Sequence, residues 1–164
     1  MYQLIPVAVA LALLGTVSSV VARDIPRLPE LPLSMAQQAA LSALQHCGGD
    51  GYAVSAAVVD RSGVLRAQLR ADGAGPHTLE SSLRKAYTAA SLKQPTQKLA
   101  ELAAKDASLQ GLHHMADKIL LLGGGLPIMI EGELAGGIGV GGAPGAHLDE
   151  ACARAGLQAI LKQD

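Results

Sequence analysis

Aromatic side chains are almost missing from this chain: among 164 residues there is no Phe, no Trp and only three Tyr. Proteins that read single-stranded nucleic acid stack bases on such rings, and nucleic-acid binders in general gather Lys and Arg on one face. Here the net charge is −1 and the 13 basic residues form no run, which sets nucleic acid aside as a partner. Cysteine is scarce as well. Cys47 and Cys152 form neither C-x-x-C nor C-x-x-C-H, which excludes a zinc ribbon, a thioredoxin-type redox site and covalently attached c-type haem. There is no Walker pattern, no G-x-S-x-G elbow and no H-E-x-x-H, so no catalytic motif supports an enzyme.

What the chain does have is small aliphatic residues: hydrophobic types make up 49% of it, so its core must be filled by Ala, Val, Leu and Ile. Leu4 to Leu14 is an apolar run of signal-peptide length, and Val20 and Ala22 place small residues before a cleavage after Ala22. Residues 1–22 are therefore expected to be a signal peptide, although the first residues carry no Lys or Arg. No later apolar run reaches spanning length. The mature chain is expected in the periplasm or secreted, with no membrane contact after cleavage. Residues 23–33 hold Pro26, Pro29 and Pro32 and read as an extended arm; residues 34–164 form the domain.

Hydrophobic periodicity then sets the elements. Ser34 opens a helix, with Gln37 completing a capping box, and Gly48-Gly49 closes it with Cys47 on its apolar side. Tyr52–Val59 and Val64–Arg70 read as a hairpin around Asp60-Arg61-Ser62-Gly63, where Asp60 suits a turn; Asp72 suits the next, in DGAGP. Thr78 caps a helix reaching Leu92, and Thr96 starts another that ends near Gly111. Leu112–Leu122 reads as a loop followed by a short strand. A second hairpin, Leu126–Ile130 with Leu134–Val140, turns at Glu131-Gly132-Glu133, and a helix from about His147 to Lys162 closes the chain. This order predicts an α+β fold: one antiparallel sheet with helices packed on its faces. If the first and last helices share a face and run antiparallel, Cys47 comes near Cys152; a disulfide and two reduced core thiols both fit.

The glycines from Gly123 onward invite a nucleotide reading, since Gly137, Gly139 and Gly142 satisfy G-x-G-x-x-G. The context fails, because Ala143-Pro144 intervenes before any helix and no acidic strand end follows. These glycines are expected to allow tight sheet–helix contact or to form an oligomer interface.

The segments VVDRSGVL (Val58–Leu65), RADGAG (Arg70–Gly75), KAYTAAS (Lys85–Ser91), GGGLPI (Gly123–Ile128), GGIGVGGAP (Gly136–Pro144) and LDEACARAGL (Leu148–Leu157) occur in that order. Together they resemble the GlcG/HbpS haem-binding family, which includes the C-terminal domain of PduO-type proteins. The resemblance covers roughly Ala53 to Ile160. It implies a profilin-like fold, homo-oligomers up to octamers, and haem or a similarly flat apolar small molecule as ligand. Where the family often has an aromatic after KAYTAA, this chain has Leu92-Lys93.

Haem requires an axial donor, apolar walls and cations for its propionates. His77, at the junction of the DGAGP loop and its helix, and the His113-His114-Met115 run are the candidate cofactor-binding donors, with His77 and His113 foremost for iron. Because consecutive strand residues point to opposite faces, only one of His113 and His114 is expected to enter a given pocket. His46 and His147, at helix ends, are expected to face solvent. Arg66, Arg70 and Lys85 are candidate propionate partners as surface cations. The expected role is haem storage, scavenging or sensing. The alternatives are a small accessory enzyme or redox factor acting on an organic substrate, and a structural oligomer without ligand.

Overall fold

The structure, a computed structural model, describes residues 28–161; the expected signal peptide and the first half of the proline-rich arm lie outside the described residues. Leu28 to Pro32 forms neither helix nor strand, and Leu31 is wholly buried against the core. Helix α1 (Leu33–Gly49) follows directly. The expected capping box does not form: Pro32 occupies the N-cap with extended backbone, no side chain caps the helix, and its carbonyl accepts the first helical bond from the Ala36 amide. The ring fixes φ and leaves the helix to begin one residue before Ser34.

Strands β1 (Ser55–Asp60) and β2 (Leu65–Arg70) form the first hairpin, closed by the Asp60 carboxylate, which accepts from the Ser62 and Val64 amides. Strands β3 (Gly125–Ile130) and β4 (Glu133–Gly141) form the second, turning through Glu131 and Gly132, both at positive φ. The sheet is antiparallel throughout, in the order β2-β1-β4-β3. On one face lie α1 and the closing helix α4 (Ala146–Leu161), packed with Val54, Ala56, Val58, Ile128, Ile138 and Val140 into the main core. These two helices share that face as expected, and Cys47 and Cys152 are joined by a disulfide between them, with Cα atoms 5.6 Å apart.

The other face carries α2 (His77–Leu92) and explains the glycines. Residues opposite one another in a sheet point to the same side. Ser55 pairs with Gly141, Ala57 with Gly139 and Val59 with Gly137, so the centre of this face is nearly stripped of side chains. Helix α2 settles into that flat track. A Cβ on Gly139 would lie 2.2 Å from the Ser82 carbonyl oxygen, and one on Gly137 would lie 2.4 Å from that of Ala86.

Helix α3 (Thr96–Lys105) ends earlier than its pattern suggests. Asp106 turns extended and its carboxylate accepts from the Ser108 amide and hydroxyl, starting a 3-10 helix at Ala107–His114. The short strand expected within Leu112–Leu122 does not form. Local carboxylate-to-backbone bonds stop α3 and wind the next residues tightly instead. Thr78 is likewise not a cap: it lies inside α2, buried, with its hydroxyl bonded to the Gly75 carbonyl and paired with Ser55 Oγ at 2.7 Å.

Candidate functional site

Helix α2 has two working faces. One, with Ser82, Lys85 and Ala86, lies on the glycine track. On the other, Glu80, Leu83, Arg84 and Tyr87 recur at i, i+3, i+4 and i+7, which aligns them along one stripe. That stripe forms the floor of a groove of about 620 Å³, within the range of small-molecule sites. One wall is the β1–β2 turn, Ser62 to Leu65, and the other is Asp117-Lys118.

Local irregularities build both walls. In β2 the register slips so that Val58 faces Ala67 while Val59 faces Leu65, leaving Arg66 as the extra residue of a bulge. Strict alternation would put Leu65 on the same face as Ala67 and Leu69. The bulge instead turns it toward α2 and into the groove, a common use of bulges near sites. Tyr87 fits under the turn because Gly63 has no side chain: a Cβ there would be 2.7 Å from the ring. The second wall is tied to α2 itself. Thr88 Oγ1 accepts the Leu120 amide at 2.8 Å, and Arg84 Nη2 donates to the Ile119 carbonyl at 2.8 Å. Just before these residues, the Lys118 ammonium lies 5.4 Å from the centroid of the Tyr87 ring.

The residues expected from sequence to hold a ligand are not assembled there. His113 and His114 sit on the 3-10 helix, not on a strand, so the one-in, one-out rule does not apply. Both line a second groove of about 460 Å³ floored by Ala100, Ala103, Ala104 and Leu121, with ring centroids 6.4 Å apart. His77 is exposed at the start of α2 with its ring folded against Gly75, and lines neither groove. Arg70 closes the DGAGP loop through two N–H groups directed at the Ala74 carbonyl, and Arg66 pairs with Glu30 at 3.8 Å. His46 and His147 are exposed. Among the described residues no three His, Cys, Asp or Glu side chains converge as a metal site.

Lys85 requires a correction. It is not a surface cation but is 1% exposed. Its Nζ donates to Asp149 Oδ2 at 2.8 Å and to the Val140 carbonyl at 2.9 Å. Gly124, at φ +114°, makes room for this pair, since a Cβ would stand 3.0 Å from Nζ. Asp149 also accepts the Ala143 amide at 3.0 Å. Burial pushes its carboxyl above the ordinary carboxylate range, with Lys85 pulling the other way. Lys85 follows Arg84 in sequence, yet about 100° of helical rotation carries it from the groove face to the core. Sequence reasoning missed Tyr87, Leu83, Arg84 and Lys118. The 80-83-84-87 spacing was the available signal, but it also reads as an ordinary solvent stripe.

Fold and site together define a profilin-like α+β module with a lateral groove along α2. The family model described as "Haem degrading protein HbpS-like" matches residues 31–158, and the chain belongs to that family. A double mutant of Streptomyces reticuli HbpS is 39% identical, with 93% of this chain and 97% of that one aligned at a TM-score of 0.76. Klebsiella pneumoniae protein ORFY is 29% identical and superposes at 0.82, over 88% of this chain and 99% of that one. A PduOC chain solved as a complex with haem is 27% identical, at 0.75, over 81% of this chain and 96% of that one. Among curated relatives, an uncharacterised 15.0 kDa protein of Citrobacter freundii is 38% identical over 86 residues, 52% of this chain and 61% of that protein. The corrinoid adenosyltransferase PduO of the same organism is 35% identical over 86 residues, 52% of this chain but only 26% of the enzyme.

Proposed function

We propose that this chain is an exported haem-binding protein that takes the macrocycle into the α2 groove, for storage, scavenging or sensing. The observation that carries this reading is the composition of the groove: Val64, Leu65, Leu83 and the Tyr87 ring offer apolar contact, and the charged lining sets the cations Arg84 and Lys118 beside Glu80 and Asp117. Haem has the matching character, a flat apolar body with two carboxylates at one margin. Lys118 forms no ion pair among the described residues, which leaves its ammonium available to a propionate. The solved haem complex of a PduOC relative supports the same ligand class.

Export is supported by the apolar run and small residues before Arg23, and by the disulfide, since such bonds persist in oxidising compartments. Homo-oligomers are part of the proposal. Among the described strands, β2 and β3 each leave one edge unpaired, and Leu69 and Met129 on them are exposed.

Titration of the purified mature protein with hemin tests the reading. A saturable Soret change with one haem per chain is expected, and Leu83→Glu is expected to abolish it while circular dichroism stays unchanged. Saturation equal in both proteins would remove haem from this groove. Steady loss of the Soret band after binding, in the presence of a reductant, would move the role from carriage to haem breakdown. Secreted protein with an N-terminus other than Arg23 would refute the cleavage site.

A further inference from the structure

We infer that Tyr87 is the side chain that holds the iron of ferric haem in the α2 groove, through its phenolic oxygen. The inference rests on the haem reading above and assigns the donor that reading leaves open.

Three observations converge on it. First, protein donors to haem iron are His, Cys, Met and Tyr, and Tyr87 is the one residue of these types that lines this groove. The histidines at 113 and 114 line the other groove, whose walls contain no Lys or Arg to meet a propionate.

Second, the Tyr87 hydroxyl has no hydrogen-bond partner among the described residues; the Lys118 ammonium lies over the ring face instead. A part-buried Tyr usually finds a partner for its O–H. Its ring is nevertheless held firmly, packed against the cluster of Leu99, Ala103, Ile119 and Leu121 and roofed by Gly63. A fixed ring with an uncommitted oxygen is suited to coordination.

Third, the groove carries an unmet donor beside it. Arg84 lies one helical turn before Tyr87 on the same stripe, and its Nε is buried without a partner, although its other nitrogens reach Ile119 and Glu80. Buried donors without partners are uncommon and call for an explanation. Nε itself is shielded, and the guanidinium meets the groove through Nη1, on the side of the exposed Glu80, where an anionic oxygen bound in the groove would find it.

The step balances without a redox partner. The Tyr87 O–H and Fe–OH bonds break together: the phenolic oxygen's lone pair forms the bond to Fe(III), and the hydroxide that ferric haem carries in water leaves with the phenol proton as H2O. The oxidation state does not change. Lys118 lines the same groove, where its ammonium is available to a propionate.

The test compares wild type, Tyr87→Phe and a His113→Ala/His114→Ala double variant, each titrated with hemin as the full mature protein. Phe keeps the ring that packs under Gly63, and a melting curve checks that it does. Wild type is expected to show a phenolate-to-iron charge-transfer band and the phenolate vibrations enhanced by resonance Raman excitation within it. In Tyr87→Phe both signals vanish and affinity falls by about tenfold or more, the weight of one strong polar contact. The double His variant keeps the wild-type spectrum. If Tyr87→Phe retains that spectrum, whatever its affinity, or if the double His variant loses it, the iron is held elsewhere and the inference fails while haem binding stands. If wild type does not bind hemin saturably, both fall.

Discussion

Replacing Gly139 by Ala adds one methyl group and tests the central packing argument. The new Cβ would lie 2.2 Å from the Ser82 carbonyl oxygen, 2.4 Å from the Ala86 amide nitrogen and 3.0 Å from Lys85 Cβ. The first two are backbone atoms of α2, more than about 1 Å inside ordinary contact distance, so no side-chain rotation relieves them. Either the helix lifts from the sheet or the strand bends. Overpacking of this kind costs about 1–3 kcal/mol. Against it stands the entropic gain of replacing Gly, about 0.5–1 kcal/mol, so the clash wins and the net loss should be about 1–2 kcal/mol. Gly48→Ala is the matched control. That residue is in the last turn of α1 with nothing within 4 Å of an added Cβ, so helix propensity alone acts and stability should rise by up to about 1 kcal/mol. Urea unfolding of the two variants reads the difference directly. Opposite signs are expected; a neutral or stabilising Gly139→Ala would refute the claim that these glycines exist for close approach.

Removing the disulfide by Cys47→Ala with Cys152→Ala should cost about 2–5 kcal/mol, since the bond closes a loop of 105 residues; an unchanged denaturation midpoint would show that the bond is dispensable. Lys85→Met leaves the Asp149 carboxylate buried without its cation and should cost about 3–5 kcal/mol at neutral pH. Burial already raises this carboxyl in the folded state, and losing Lys85 removes a force that lowers it. The folded variant therefore binds a proton more tightly than the unfolded chain. Its stability contribution is present at low pH and lost as pH rises through the folded value, so the deficit of Lys85→Met against wild type should shrink on acidification. A deficit that stays constant from neutral pH to about pH 4 would count against an ionised, buried Asp149.

Elements with a strong period were legible before any coordinates. The two hairpins, the shared face of the first and last helices, and the approach of Cys47 to Cys152 all follow from where apolar residues recur and where Asp60 and Gly132 allow turns. The family resemblance carried by VVDRSGVL and GGIGVGGAP adds to that reading. What stayed hidden depends on single residues whose effect is non-local. The bulge at Arg66 reverses the facing of Leu65, and no alternation pattern shows a bulge in advance. Asp106 diverts the chain into a 3-10 helix, so His113 and His114 do not obey strand geometry. Lys85 looks like a surface cation because its partner lies 64 residues away on α4. Tyr87 sits within a recognised segment, but its spacing with Leu83 and Arg84 marks only a stripe until the 117–118 segment closes over it.

Lys85 and Tyr87 lie on the same helix, and the first explains how the second is aimed. A helix resting on glycines has few side-chain knobs to fix its rotation, since a flat track resists neither sliding nor rolling. The ion pair supplies what the track lacks. Nζ meets the Asp149 carboxylate and the Val140 carbonyl, so α2 is pinned to α4 and to the end of β4 at one angular setting. A buried pair of this kind adds little net stability over well-packed apolar residues, because desolvating both charges offsets their attraction. Its contribution here is orientation: with Lys85 held inward, Leu83, Arg84 and Tyr87 are turned toward the β1–β2 turn and Lys118. The triple glycine then serves the groove at a distance. Gly124 leaves space for the pin, and Gly125 lets β3 pass against the Lys85 carbonyl, where a Cβ would come within 2.4 Å.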